Sequence, residues 1–185
     1  MTRVLALAMV LLLTMGAMAE ADQTDKRLDD LFKQLQTTDS DDEAHAIENT
    51  IWDIWSTSDD ERVERYMHAG SRQIDDGDLR GALITFERVV EMAPRFAEGW
   101  NKRATVQYLL HNYDASASDI AETLKLEPRH FGALSGLGLV NIALGRTRAA
   151  IAAFEMALAV HPHLNAAREN IKLLKKNLEG DERPI

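Results

Sequence analysis

The sequence predicts an all-α protein built as a stack of helical hairpins. Three observations carry that prediction. Prolines recur at Pro94, Pro128 and Pro162, a constant spacing of 34 residues, each at the close of an apolar helical pattern. Small residues recur at fixed offsets ahead of them, at Gly70, Ala104 and Gly138 and again at Ala82, Ser116 and Ala150. Elsewhere apolar residues fall three and four apart, which gathers them on one face of a helix. The chain of 185 residues is 45% hydrophobic and 28% charged, values of a folded domain. It has no cysteine, so disulfides, thiolate zinc sites and thiol nucleophiles are excluded and packing alone must hold it.

Residues 1–19 read as an export signal. Arg3 opens it, Val4 to Met15 is almost wholly apolar, and Ala17-Met18-Ala19 is a small-x-small cleavage site before polar Glu20. The apolar stretch from Val4 to Ala19 has 16 residues, short of the roughly 20 that span a bilayer. The expectation is therefore a periplasmic protein cleaved after Ala19, with no stable membrane insertion afterwards.

Residues 20–62 read as an acidic helical cap. Leu28, Leu31, Phe32 and Leu35 form one apolar stripe, and Ala44, Ile47, Ile51, Ile54 and Trp55 another. Ser40 with Glu43, and Ser58 with Glu61, have the spacing of capping boxes. Asp25–Ser56 is thus expected to be a hairpin closing the start of the array, with Trp52 and Trp55 packed inside or, alternatively, offered as a docking surface. Formal net charge is −9. From Glu20 to Glu64 there are 15 acids and 4 bases, whereas from Arg65 onward 15 acids meet 16 bases. Such a chain repels phosphate backbones, so no nucleic-acid partner is expected.

The proline period divides the centre into three frames, 63–96, 97–130 and 131–164. Gly70, Ala104 and Gly138 lie where paired helices must approach closely, and Phe86, Ile120 and Phe154 fill the space beyond. Gly77, Asn112 and Gly145 suit the turn inside each pair. Residues 165–178 form a last helix whose stripe is Ala167, Ile171, Leu174 and Leu178, stopped by Gly180, with a frayed tail over 179–185.

These residues resemble the tetratricopeptide repeat, whose pattern runs W-x2-L-G-x2-Y, then A-x3-F, then P. Trp100 stands at the first position of that pattern in the middle frame alone, and Gln73, Gln107 and Asn141 replace its tyrosine. The resemblance implies a right-handed superhelix, an α-solenoid, of three hairpins with a closing C-terminal helix. It also implies that the first helices of successive frames line a concave groove. Asn101, Lys102, Thr105, Tyr108 and Leu109 would face it from the middle frame, and Ser135, Leu139 and Ile142 from the third, with Gly132 and Gly136 opening space beside them. The carboxylate clamp of some family members is missing, its places being held by Met67, Ser71, Lys102, Gly132 and Gly136.

The function expected is a non-catalytic scaffold in the cell envelope that binds a protein or peptide in this groove. Two alternatives are a self-associating structural protein and a metal-binding or hydrolytic enzyme. Against the enzyme, there is no phosphate-binding loop, no Gly-x-Ser-x-Gly and no His-Glu-x-x-His. His130, His161 and His163 are the densest histidine group, and the prolines place them at turns between pairs, where exposure is expected. No cofactor is implied.

Overall fold

The computed structural model describes residues 22–181. The export segment, its cleavage point and the end of the tail lie outside the described residues.

A short 3-10 turn, Asp22–Thr24, leads into α1 (Arg27–Thr37) and α2 (Asp41–Ser56). Three hairpins follow: α3 (Glu61–Asp75) with α4 (Leu79–Met92), α5 (Ala97–Leu109) with α6 (Tyr113–Leu126), and α7 (Phe131–Ala143) with α8 (Thr147–Val160). A final helix, α9 (Asn165–Asp181), closes the chain. From α3 to α9 each helix packs on the next, and α5 also packs on α7 across one repeat. The result is a helical solenoid. Helix α9 runs on through Gly180, which does not stop it as the sequence suggested. Among the described residues no helix is long and apolar enough to cross a membrane.

The small residues do what their spacing predicts. A methyl placed on Gly70 would lie 2.6 Å from the Phe86 ring, and one on Gly138 would lie 2.5 Å from Phe154. Both phenylalanines are buried against bare backbone. The middle pair uses Ala104 and Ser116 instead, joined by a hydrogen bond of 2.8 Å from Ser116 Oγ to the Ala104 carbonyl. Gly77 and Gly145 take positive φ in the turns of the outer pairs, at 78° and 69°. In the middle pair the residue at that position is His111, at φ 61°, and not Asn112. Asn112 takes the N-cap position of α6 at φ −84° and ties its amide to Gln107 Oε1.

Ser40 caps α2 by accepting from the Glu43 N–H, as predicted. The second predicted box is not formed. Asp60 caps α3 by accepting from the Arg62 N–H, while Ser58 Oγ accepts from the Asp60 N–H. The carboxylate adjacent to the helix start displaces the hydroxyl two residues earlier, and it also grips the Arg62 guanidinium at 2.6 Å.

The α1–α2 hairpin does not pack on the face of the first frame. Its apolar residues Leu28, Phe32, Leu35, Ile51 and Trp55 form one buried cluster with Phe131, flanked by Val160 and Leu164. Its polar contacts follow the same line. Gln23 reaches Arg95 and Ala97, Asp29 pairs with Arg129 at 2.7 Å, Gln36 donates to the Ala159 carbonyl, and Asp41 meets His163. Positions 95–97, 129–131 and 159–164 lie at the turns joining one hairpin to the next. The acidic segment is therefore a strap along the turn edge of the solenoid, and its carboxylates meet the basic side chains displayed there.

If the bare backbone at Gly138 sets the spacing of α7 and α8, Gly138→Ala should destabilise the protein by about 1–3 kcal/mol through overpacking. Urea denaturation followed by circular dichroism measures this; unchanged stability would contradict the close approach.

Candidate functional site

Helices α5 and α7 occupy equivalent places in consecutive frames, which sets their inner faces side by side. On α5, Asn101, Thr105 and Tyr108 are spaced four and three, and on α7 Gly132, Gly136 and Leu139 repeat that spacing. Together they line a pocket of about 80 Å3 whose floor is Ala104, Ser116 and Ile120. Leu109, Leu139 and Ile142 remain 40%, 37% and 37% exposed, so the chain's own closing helix does not bury them. Ser135 is half-buried on the same stretch of α7. Tyr108 packs against Tyr113 with ring centroids 5.7 Å apart.

The polar end of the groove is organised by Glu98, a position that the repeat register assigns to the groove face but that the structure buries. Glu98, one turn before Asn101 and Lys102, has a fully buried side chain. Its Oε2 accepts from Asn101 Nδ2 at 2.9 Å and lies 3.0 Å from His130 Nε2. Its Oε1 faces Lys102 Nζ at 3.4 Å. The Ala133 N–H donates to His130 Nδ1, so the ring proton sits on Nε2 and points at Glu98. Burial pushes the Glu98 carboxyl up, but the hydrogen bond from His130, with Lys102 and Asn101 adding to it, holds it below the ordinary carboxylate range. Asn101 and Lys102 thus already serve a buried carboxylate of their own chain. The i, i+4 spacing of Glu98 and Lys102 was the signal available in the sequence.

Beside this cluster the strap reaches the groove. Trp55 stacks on the His130 ring at 4.1 Å and an interplanar angle of 10°. Trp52 lies edge-on to His130 and Phe131. Its ring occupies the space a side chain on Gly132 would need, within 2.5 Å of the missing Cβ. Gly132 therefore admits a tryptophan of the same chain and not an external ligand. Trp55 is buried and Trp52 half-buried, so both pack inside the fold.

His130 and His161 are buried, contrary to the exposure expected at turns, because the strap covers them. His161 Nε2 lies 3.2 Å from Glu48 Oε2. That contact holds the Glu48 carboxyl below its ordinary range. His163 Nδ1 lies 2.6 Å from Asp41 Oδ1, and its Nε2 lies 3.1 Å from the Thr38 carbonyl. Asp41 raises the His163 imidazole above its ordinary range, with the Thr38 carbonyl adding to the effect and Arg168 opposing it. Of the histidines weighed as metal ligands by sequence, His161 and His163 meet carboxylates of the strap and His130 meets Glu98 of α5, and among the described residues no group of three donors is placed to hold an ion.

A family model described as tetratricopeptide repeat matches residues 110–165. A TPR repeat-containing protein of Rhizobium etli is 34% identical over 156 residues, covering 84% of this chain and 76% of its own length. A tetratricopeptide repeat protein 36 homolog of Nematostella vectensis is 31% identical over 84 residues, 45% of this chain and 44% of its own. Among solved structures, the first TPR of Spaghetti (RPAP3) bound to an HSP90 peptide aligns with a TM-score of 0.63 at 18% identity, covering 65% of this chain and 96% of that one. MamA aligns with a TM-score of 0.61 at 20% identity over 80% of this chain and 84% of its own. At these identities the two structures speak for the fold.

The His163–Asp41 contact gives strap docking a defined pH dependence. A folded-state pKa above the unfolded value means the contribution is fully present below about pH 6.5 and is lost as pH rises through the raised value. The protection of α1 and α2 amides against hydrogen exchange, with the intrinsic base-catalysed rate divided out, should therefore fall as pH rises above about 6.5, and His163→Gln should flatten that trend. A slope of opposite sign, or one unchanged in the variant, would contradict the assignment.

Proposed function

Because this chain belongs to the tetratricopeptide repeat family, we propose that it is a non-catalytic interaction scaffold holding a peptide or protein partner in the groove between α5 and α7. The observation that carries this reading is the apolar floor of Leu109, Leu139 and Ile142, left exposed in a concave surface beside a small pocket. An apolar groove flanked by helices suits an amphipathic helix or an extended segment with apolar anchors. Two structural neighbours, the first RPAP3 TPR and the TPR2B domain of yeast Sti1, are complexes with an HSP90 peptide and with pHsp70. Peptide capture is carried to this chain on that basis, but their ligand is not. With Lys102 held by Glu98, and Met67, Ser71, Gly132 and Gly136 at the other clamp positions, the residues that would grip a C-terminal carboxylate are missing.

The reading extends to a site of action outside the cytoplasm, supported by residues 1–19, read as a signal cleaved after Ala19. Within the proposed site Tyr108, Leu109, Leu139 and Ile142 make the partner contacts. Thr105 and Ser135 border them, and Asn101 and Lys102 act by holding Glu98.

The test is photo-cross-linking in a bacterial host, on the periplasmic fraction, where the mature chain should start at Glu20. A photoreactive residue replacing Leu109 or Ile142 should trap a discrete partner. One replacing Ile84 or Met156, which are exposed on second helices at 61% and 47%, should not. Equal trapping from both faces, or from the second helices alone, would contradict the groove, and a chain confined to the cytoplasm would contradict the export.

A further inference from the structure

Gly136 differs from the other glycines inside the first helices of the array. At Gly70, Gly99, Gly132 and Gly138 an added Cβ would fall within 2.5–2.7 Å of Phe86, Val89, Trp52 or Phe154, so packing excludes a side chain. At Gly136 the nearest atom to an added Cβ is Ile120 Cδ1, at 3.6 Å, an ordinary contact distance. Its φ is not positive, so the backbone does not require glycine either. A glycine in a helix interior weakens the helix relative to alanine. What its bareness leaves is the pocket, which Gly136 lines together with Ala104, Ile120, Leu139 and Tyr108.

The chemistry of the pocket identifies what fits. Three of the polar groups on its wall are already engaged inside the chain, and the fourth is the Tyr108 hydroxyl. Ser116 Oγ donates to the Ala104 carbonyl, Thr105 Oγ1 to the Asn101 carbonyl, and the Asn101 amide to Glu98. The neighbouring cation, Lys102, is balanced by buried Glu98. A carboxylate entering here would exchange its water for the Tyr108 hydroxyl alone, with the neighbouring cation already balanced, which opposes binding. A cavity of roughly 150 Å3 lined by aliphatic and aromatic groups holds benzene. This one, at about 80 Å3 and open to the groove, has room for a branched aliphatic side chain to enter.

We infer that the Gly136 pocket is a specificity pocket that receives one uncharged aliphatic side chain, of leucine or isoleucine type, from a peptide lying in the groove. This rests on the groove reading above and adds the class of anchor that the partner presents.

The test uses a library of short, acetylated and amidated synthetic peptides, with affinities measured by fluorescence anisotropy. Wild-type protein should select peptides that share one leucine, isoleucine or valine position. Gly136→Leu fills the pocket with the chain's own side chain and should bind those peptides at least about tenfold more weakly, with helicity and melting unchanged or improved. Should the leucine disturb the fold, Gly136→Ala, whose methyl meets only Ile120, must still weaken binding. Selected peptides that share an acidic residue instead, or undiminished binding by both variants, overturn the pocket assignment and leave the groove standing. If no peptide binds wild-type protein, the groove reading and the anchor fall together.

Discussion

The closeness with which paired helices approach is the constraint on which the rest of this structure depends. At Gly70 and Gly138 a phenylalanine ring from the second helix lies directly on the backbone of the first. That contact fixes the pitch of each hairpin, and stacking carries it along the array, because each repeat touches only its neighbours. The middle hairpin reaches the same spacing with a hydrogen bond, from Ser116 to the Ala104 carbonyl. The groove is a consequence. Once α5 and α7 are held side by side, the residues four and three apart on each are brought opposite one another, and the bare position at Gly136 becomes a pocket between them.

The strap is a second layer built on that array. Its docking site is a row of inter-repeat turns, which carry exposed backbone carbonyls and the basic or titratable side chains of Arg129, His161 and His163. The acids of α1 and α2 meet these, and Trp55 closes over the His130–Glu98 contact. A buried carboxylate is costly unless it is fully partnered. Glu98 has three neighbours, from α5 and from the α6–α7 turn: Oε2 takes the hydrogen bonds of Asn101 and His130, Oε1 faces half-buried Lys102 without a hydrogen bond, and Trp55 covers the His130 ring. Because the strap runs along the turn edge, it meets the groove at Trp52, against Gly132, and among the described residues leaves Leu109, Leu139 and Ile142 open.

The repeat array was legible in the sequence because its determinants are local. Pro94, Pro128 and Pro162, the small residues, and Phe86 and Phe154, each 16 residues beyond its glycine, act between adjacent helices, where sequence separation and spatial contact coincide. The position of the strap was not legible. The contacts that decide it, Asp29 with Arg129, Asp41 with His163 and Gln36 with Ala159, join residues 100 to 123 positions apart, and no periodicity records them. The burial of His130 and His161 follows from the strap and was hidden with it. In the candidate site the apolar positions were readable from repeat register. Register put Asn101 and Lys102 on the groove face but not against Glu98, because that pairing depends on how deeply the carboxylate is buried.

The strap's position on the turn edge is the claim from which the open groove follows, and the absence of native cysteine allows it to be probed directly. Gln36→Cys combined with Ala159→Cys places two thiols where a side-chain to backbone hydrogen bond of 3.2 Å now joins α1 to the end of α8. Mild oxidation should link this pair rapidly within the monomer, whereas Gln36→Cys paired with a cysteine replacing Tyr66 on α3 should stay reduced. Rapid linkage to position 66, with none to position 159, would move the strap to the start of the array and contradict the account.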